Sequence, residues 1–592
     1  MDTRAFYQEE LATNLAEQAG LKKRDTRFSV LRGMLTVAVF VLIYFAIVQR
    51  LPFLWTLASL LIVVFAWILR FHIKLRSRLE HVDRKLGVIR TELNYLGHDL
   101  SALDEGSAFR NEDHPYSTDL DVFGKGSLFQ RVNRAKSKGA RAKLAEELQY
   151  LSWELLGEKQ AAIRAMVDQP VHLLEFQTIL AGLDQDDVKG KVQKWLEVED
   201  TTPWFFARWI RLGLSLVFPI ATVWVIAFGG VESIGSLIYP FLFNLLLLGA
   251  GIKHIKRQHA AVDAVHKSMA VKSRLIDAFL QWELKSPLMS ELRGRFNLEQ
   301  ARADQEFRRL GRIIGQLDGM GNLLGAAVLN GMFLYHAHVF SQLMAWKHRY
   351  GLHVLDWLKA TEEIEVWVSK AQFHFNHQDF AFPEGVSGNT FSADGIGHPF
   401  LKANKRVVND VVFDGFKLMV LTGSNMAGKS TFLRTLGVNM ILASMGLPVC
   451  AKRLSISPFQ LLSSMKPQDS INDDRSYFQA EVIRLRMVLD RIQEQSPSFL
   501  LFDEILRGTN SEDKRNGTRA FLMKLCDQRV VGVIATHDVE IADISMDLPF
   551  VFRNNYFEST FAEGQLHFDY QLRDGVCRTP NATQLLKSHG II

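Results

Sequence analysis

The residues from Gly423 to Thr431 have the types and spacing that bind phosphate groups: Gly-Ser-Asn-Met-Ala-Gly-Lys-Ser-Thr. An apolar run that predicts a buried strand, Lys417 to Leu421, precedes them, and a predicted helix start, Phe432 to Leu436, follows them. A strand, the pattern G-x-x-x-x-G-K-S and a helix together indicate a nucleotide-binding P-loop. Glycines let the backbone N–H groups close around phosphates, which a helix N-terminus also favours.

Within this loop, two residues have distinct predicted roles. We expect Lys429 to reach the β- and γ-phosphates of ATP and the Ser430 hydroxyl to contact Mg²⁺. The other residues predicted to bind the nucleotide are Gly423, Asn425, Met426, Gly428 and Thr431. The alternative is a glycine-rich turn with a chance lysine, and the strand–helix context argues against it.

Two further predicted strands end in residues that suit ATP hydrolysis. Ser498 to Phe502 is followed by Asp503, which we assign to Mg²⁺, and by Glu504, which we assign to the attacking water. Val530 to Ala535 leads to His537, a candidate contact for the γ-phosphate or the water. A histidine at a strand end is more often a capping or packing residue, but the two neighbouring motifs favour a catalytic role here.

These blocks resemble the ATPase domain of the MutS-type DNA mismatch repair proteins. The P-loop carries part of the resemblance, together with Ser476 to Glu481 (S-Y-F-Q-A-E), Asp503 to Asn510 (D-E-I-L-R-G-T-N) and Ala535 to His537. A fainter likeness from Asp119 to Arg141 is similar to the opening of the MutS helical core.

The resemblance implies an α/β P-loop ATPase domain of the ABC type that uses ATP and Mg²⁺. It also implies a homodimer, in which the segment with Ser476 and Glu481 reaches the nucleotide of the other subunit. The likeness covers roughly Asp119 to Ile592, and it is stronger in the ATPase domain than in the core.

Four long uncharged stretches predict two transmembrane hairpins: Gly33 to Val48 with Phe53 to Leu69, and Leu212 to Val231 with Ser233 to Ile252. A bilayer core of about 30 Å needs about 20 apolar residues, so the second pair is long enough. The first pair is short unless flanking arginines extend towards the headgroups. A buried core hairpin is the alternative, but such helices usually carry a polar stripe and these do not.

Basic residues flank the outer ends of both predicted hairpins. They are Lys22, Lys23, Arg24, Arg27, Arg32, Arg70, Lys74, Arg76, Arg78, Arg208, Arg211, Lys253, Lys256 and Arg257. Because basic segments stay on the cytoplasmic side, both termini and the ATPase domain are predicted to be cytoplasmic. We therefore expect a multi-pass protein of a bacterial-type cytoplasmic (inner) membrane, with lipid as a partner.

The resulting fold class is a C-terminal α/β ATPase domain preceded by an α-helical core that carries two transmembrane hairpins. The predicted map is 1–30 cytoplasmic arm, 31–72 first hairpin, 73–118 connecting helix and linker, 119–207 first core part, 208–252 second hairpin, 253–379 second core part and 380–592 ATPase domain. A candidate lever helix, Val354 to Phe373, lies in the second core part.

Composition limits the other possibilities. The chain has 592 residues, 48% of them hydrophobic, and its net charge of +5 is too small to indicate a nucleic-acid binder by itself. Its three cysteines, Cys450, Cys526 and Cys577, stand far apart without metal-ligand spacing, which suits a reducing compartment.

A basic cluster near the predicted core opening is the argument from the residues for DNA contact. Its members are Lys125, Arg131, Arg134, Lys136, Lys138, Arg141 and Lys143. Such a cluster suits contact with phosphates without base reading, and a solvated or headgroup-facing helix explains it equally well. The mismatch-reading and connector domains of the MutS family have no counterpart before Leu31.

Three functions are compatible with these patterns. The resemblance favours a membrane-anchored MutS-like ATPase dimer that engages double-stranded DNA or a DNA-bound protein, related to mismatch repair. The second is a membrane ATPase switch of the same fold that acts on a protein or lipid partner without DNA. The third, a transporter, is disfavoured because the predicted spans carry no intramembrane acid or base beyond Glu232, which lies between two of them.

Overall fold

The computed structural model describes residues 2–183, 187–229, 231–263, 266–299, 301–318, 323–413, 416–424, 427–465, 477–492, 497–507, 509–562 and 565–577. Three of the predicted nucleotide-binding residues, Asn425, Met426 and Ser476, lie outside these described residues.

Two long antiparallel helices begin the chain, α1 (Thr3–Gln49) and α2 (Pro52–Leu96). Pro52 suits the first turn of α2 because its missing N–H would have no helical partner there. The predicted arm at 1–30 and the predicted connecting helix are not separate elements. Each continues without a break into an apolar stretch, because no proline interrupts either helix. The polar halves of the two helices are joined by the ion pairs Arg78–Glu17 and Lys85–Glu10.

The middle of the chain is almost entirely helical. Its helices are α3 (Leu128–Val132), α4 (Lys138–Gln149), α5 (Leu156–Val167), α6 (Pro170–Leu180), α7 (Val188–Glu197), α8 (Arg208–Trp224), α9 (Ile238–Asp263), α10 (His266–Gln281), α11 (Pro287–Gly294), α12 (Ala303–Asp318), α13 (Leu323–Phe333) and α14 (Tyr335–Asn376). A short antiparallel hairpin separates α11 from α12; its two strands, β1 (Asn297–Leu298) and β2 (Ala301–Arg302), have two residues each. A π-helical turn, Val225–Gly229, and a 3₁₀ segment, Val231–Leu237, connect α8 to α9.

Helix α14 is the central element of the helical core. It has 42 residues and is therefore about 63 Å long. The predicted lever, Val354 to Phe373, lies inside this longer helix. Its buried residues pack against α4, α5, α6, α7 and α12. Its C-terminal end contacts the start of α1, where the Thr3 hydroxyl donates to the Phe375 carbonyl at 2.8 Å.

The C-terminal part has two sheets. Its strands are β3 (Glu384–Gly385), β4 (Phe391–Ile396), β5 (Asn409–Val412), β6 (Leu418–Thr422), β7 (Arg453–Ile456), β8 (Gln460–Ser464), β9 (Ser498–Asp503), β10 (Val530–Ala535), β11 (Phe552–Ala562) and β12 (Gln565–Asp574). Its helices are α15 (Lys429–Ser444), α16 (Tyr477–Ile492), α17 (Ser511–Leu525), α18 (Val539–Ala542) and α19 (Ile544–Asp547).

The larger sheet has the order β12-β11-β6-β10-β9-β8 and is parallel except for β12. The smaller sheet has the order β3-β7-β4-β5. All three strands predicted around the catalytic motifs are confirmed within one residue, because fully buried parallel strands read as continuous apolar runs.

The helical core and the ATPase part share a hydrophobic core. Leu120, Phe129 and Leu144 from the first core part pack in one cluster with residues of β4, β9 and α15. Polar contacts reinforce this junction: the Asp119 carboxylate accepts from the Ser463 hydroxyl at 2.6 Å, and Asp121 pairs with Arg434 of α15 at 2.7 Å. The junction therefore links the P-loop helix directly to the core.

Among the described residues, four helices are long and apolar enough to cross a membrane: Thr3–Gln49, Pro52–Leu96, Arg208–Gly229 and Ser233–Val262. They contain three of the predicted stretches in full, and the helix Arg208–Gly229 contains the third predicted stretch, Leu212 to Val231, up to Gly229. Their large apolar side chains are mostly exposed, with Phe40 at 69%, Val63 at 65% and Ile226 at 79%. A soluble core helix would bury such side chains, so their exposure argues against the buried-hairpin alternative.

Candidate ATPase site

The sheet order brings the three predicted motifs to one edge. Strand β10 lies between β6 and β9 and is parallel to both, so the carboxyl ends of all three meet. Two backbone hydrogen bonds fix the motifs to each other: the Glu504 N–H donates to the Ala535 carbonyl at 2.8 Å, and the Thr536 N–H donates to the Leu421 carbonyl at 2.9 Å.

The P-loop turns into α15 at Gly428, whose φ of 101° lies in the left-handed region that favours glycine. A Cβ atom there would also lie 2.9 Å from the Tyr570 ring. The amino group of Lys429 donates to the carbonyls of Gly423 at 2.7 Å and Ser424 at 3.0 Å. Burial lowers the pKa of Lys429, while Glu504 and Asp503 act in the opposite direction.

Ser430 and Asp503, the two predicted Mg²⁺ ligands, lie within hydrogen-bond distance of each other. The Ser430 hydroxyl donates to Asp503 Oδ2 at 2.5 Å. Burial raises the pKa of Asp503, and the Ser430 hydrogen bond and Arg507 counteract this effect. Hydroxyl and carboxylate oxygens fit Mg²⁺, which usually takes one or two protein ligands and completes its shell with water and substrate phosphates. No group of three or more His, Cys, Asp or Glu side chains suited to a metal occurs within the described ranges.

Glu504 lies between two basic groups. Its Oε2 atom is 3.2 Å from His537 Nδ1 and 3.3 Å from Arg507 Nε. Burial acts to raise the pKa of Glu504, but Arg507, His537 and Lys429 outweigh it and lower the pKa overall. The carboxylate is therefore ionised at neutral pH, as an acceptor for a proton of water must be.

Arg507 is a site residue that the sequence reasoning did not single out. Its Nη2 atom is 3.7 Å from Asp503 Oδ1, and it donates to the backbone carbonyls of Asp503 at 3.2 Å and Glu504 at 3.1 Å. The sequence signal that could have identified it is its spacing, since it follows Glu504 by three residues and Asp503 by four. Tyr570, which lies against Gly428, had no such signal because it comes from the distant strand β12.

Glu481, which the resemblance places on a segment facing the nucleotide of the other subunit, makes its hydrogen bonds within its own chain. Its carboxylate is 2% exposed and accepts the backbone N–H groups of Leu506 at 2.5 Å and Arg507 at 3.0 Å, within the same chain. Burial raises its pKa, and these two hydrogen bonds oppose the shift. Glu481 thus holds the loop that follows the two acids.

The basic cluster predicted for DNA contact is divided among internal partners. Arg134 is buried and bonds to Glu92 at 2.6 and 3.0 Å, while Arg131 lies over the Phe400 ring at 4.6 Å. Three further members pair with carboxylates: Lys138 with Asp187, Arg141 with Asp104 and Lys143 with Glu363. Arg131, Arg134 and Arg141 are therefore engaged by internal partners, whereas Lys138 and Lys143 pair with carboxylates at the surface.

Comparisons with known proteins agree with the geometry. Residues 419–590 match the model of MutS domain V. The chain is 30% identical over 176 residues to the DNA mismatch repair protein MutS of Natronomonas pharaonis, covering 29% of this chain and 20% of that protein. It is 33% identical over 178 residues to the mitochondrial DNA mismatch repair protein MSH1 of Arabidopsis thaliana, covering 29% and 15%.

A third relative, MutS of Thermotoga neapolitana, is 30% identical over 196 residues, which are 32% of this chain and 24% of that protein. The chain thus spans less than a quarter of the length of each of these relatives, and the likeness is that of the ATPase part. With the P-loop, the two acids and the histidine at one sheet edge, the C-terminal part of the chain matches MutS domain V, an ATPase domain that it shares with these mismatch repair proteins.

Proposed function

We propose that this protein is a membrane-anchored ATPase switch, in which ATP binding and hydrolysis in a dimer reposition a helical core against the bilayer. One observation carries the proposal: a single chain joins the ATPase sheet to four apolar, exposed helices through α14. The proposed location is a bacterial-type cytoplasmic membrane with the ATPase domain and both termini in the cytoplasm, because basic residues flank both hairpins.

In the proposed reaction, the P-loop residues hold the phosphates of ATP. Lys429 exchanges its two loop carbonyls for phosphate oxygens, and Ser430 and Asp503 are the residues that would hold Mg²⁺. The bound Mg²⁺ would supply positive charge against the phosphates. Glu504 orients the attacking water and accepts its proton, while His537 and Arg507 hold that carboxylate in place.

The proposed route from the site to the core begins on α15. Arg434 of this helix pairs with Asp121 of the core, so a shift of the P-loop helix displaces the core opening. The next link is Glu365 of α14, whose carboxylate accepts the N–H groups of Lys136 and Ser137, both at 2.9 Å. Nucleotide binding would thereby favour one of two arrangements of α14.

A purified full-length chain in lipid vesicles tests the proposal. Lys429→Ala is expected to abolish nucleotide binding, whereas Glu504→Gln is expected to bind ATP and retain it unhydrolysed. Equal turnover in the wild type and in Glu504→Gln would refute the assigned role of this carboxylate. Recovery of the protein in the soluble fraction after extraction without detergent would refute the membrane anchor.

The second candidate function is engagement of double-stranded DNA or a DNA-bound protein, related to mismatch repair. The names of the relatives favour it, since they are DNA mismatch repair proteins. The internal pairing of the basic cluster opposes it. Duplex DNA added to the same vesicles decides between the two, because a DNA partner should stimulate ATP hydrolysis in a salt-dependent manner. A membrane switch without DNA should show no stimulation.

A further inference from the structure

A third apolar element, which the sequence did not reveal, lies beside the second hairpin. Helix α13 packs against α8 and α9, and residues Leu324 to Phe333 form an apolar helix too short to be a span. Several of its large side chains are exposed: Leu324 at 82%, Val328 at 50%, Leu329 at 42% and Phe333 at 44%. Its one polar side chain, Asn330, is 1% exposed.

The depth of α13 relative to α9 follows from one hydrogen bond. The Asn244 side chain, which is fully buried in an otherwise apolar stretch of α9, donates from Nδ2 to the Gly331 carbonyl at 2.9 Å. At Gly331 a Cβ would lie 2.3 Å from the Phe241 ring, so glycine allows this close approach. Asn244 precedes Lys253, the first charged residue after the span, by nine positions, which is about 14 Å along a helix.

The tip of α13 therefore lies about halfway into a hydrocarbon core of about 30 Å. The 11 residues of α13 extend about 16 Å, so the helix enters from one side and cannot cross. The chain reverses at Leu334, which has a φ of 50° and is 2% exposed, and α14 leads back.

The Asn330 side chain and carbonyl pair with backbone groups of the turn, which supports irregular backbone within a bilayer, while the buried His336 Nε2 has no partner among the described residues. The Leu334 N–H donates to the Asn330 carbonyl at 2.9 Å, and the His336 N–H donates to Asn330 Oδ1 at 2.9 Å. Asn330 Nδ2 donates to the Ala326 carbonyl at 2.7 Å. A turn surrounded by water would not need a buried asparagine for this purpose.

We propose that α13 and the start of α14 form a re-entrant hairpin whose exposed face contacts lipid acyl chains of the cytoplasmic leaflet. The inference rests on the proposed membrane anchor, because the bilayer position is set by α8 and α9. Its consequence is that the helix linked to the ATPase begins inside the membrane. Movement of α14 would then displace lipid directly, in addition to shifting the two spans.

The test uses the full chain in vesicles with single cysteines that carry an environment-sensitive fluorophore. Val328→Cys and Leu324→Cys sample the α13 face, Val63→Cys samples a predicted span, and Leu352→Cys, at a residue 93% exposed on α14, samples water. Cys526, the half-buried natural cysteine, is replaced by serine to remove background labelling. ATP hydrolysis by each labelled chain reports an intact fold.

At Val328 we expect a blue-shifted emission, and nitroxide-labelled lipids should quench it as strongly as the emission at Val63. The fluorophore at Leu352 should be quenched by aqueous iodide instead. Quenching of Val328 by iodide, with Val63 still quenched by lipid, would overturn the re-entrant hairpin and leave the membrane anchor standing. Quenching of Val328 by neither agent would overturn it in favour of a protein cover. Failure of lipid quenching at Val63 would refute the anchor and the hairpin together.

Discussion

Replacement of Glu481 by alanine should separate ATP binding from ATP hydrolysis. The Glu481 carboxylate accepts two backbone N–H groups of the loop that follows Glu504. Hydrogen bonds to a charged group contribute about 1.5–3 kcal/mol each, so the pair contributes about 3–6 kcal/mol. The same loop holds two non-glycine residues in the left-handed region, Glu504 at φ 52° and Leu506 at φ 60°.

Such backbone conformations cost about 1–3 kcal/mol each, so the Glu481 bonds are of the size needed to maintain them. In Glu481→Ala the loop should relax and carry Glu504 away from the water. A positioned general base contributes about 10²–10⁴-fold to a rate, so we expect kcat to fall by about 10²-fold or more. Nucleotide affinity should change little, because Lys429 and the P-loop belong to a different strand.

The assay combines steady-state ATP hydrolysis with binding of a fluorescent ATP analogue and a thermal unfolding curve. Glu481→Gln keeps one acceptor and should give an intermediate loss. Glu512→Ala, at an exposed position on α17, is the matched control and should resemble the wild type. The reasoning would be refuted if folded Glu481→Ala kept the wild-type rate. It would also be refuted if binding fell as far as hydrolysis, since Glu481 would then contact the nucleotide directly.

Three further predictions concern the dimer, pH and the buried core. If the site is shared between subunits, mixing Lys429→Ala chains with Ser476→Ala chains should restore ATP hydrolysis above that of either variant alone, and an unchanged rate would exclude a shared site. Burial lowers the pKa of His377 from 6.5 to about 3, and nearby arginines contribute to this shift. Below pH 6.5 the unfolded chain therefore binds a proton at this residue, whereas the folded chain does not until the pH approaches 3. Stability should therefore be retained above pH 6.5 and fall by about 2 kcal/mol on reaching pH 5, and unfolding curves of His377→Gln should show a weaker dependence on pH. Arg134→Met leaves a buried carboxylate without its partner and should lower the free energy of unfolding by about 3–5 kcal/mol, whereas Lys138→Met, which breaks an exposed pair, should change it by less than about 1 kcal/mol in the same denaturant titration.

The sequence determined the catalytic strands and the membrane candidates because both leave local signals. Buried parallel strands read as apolar runs, and the P-loop and the Asp503–Glu504 pair stand directly at their ends. A candidate span is likewise defined by the length of an uncharged stretch. What each site residue does during hydrolysis remains a prediction from these positions.

The tertiary structure decided what depends on distant partners. The direction of Glu481 follows from backbone groups 25 and 26 positions away, which no spacing rule indicates. The sequence could not show that Arg134 of the basic cluster is buried against Glu92, 42 positions away. Helix α13 is too short to be predicted as a membrane span from its sequence. Its depth in the bilayer follows from the hydrogen bond between the Asn244 side chain and the Gly331 carbonyl. Local sequence fixes which segments are apolar or helical, but the fold fixes which charges and faces remain free to act.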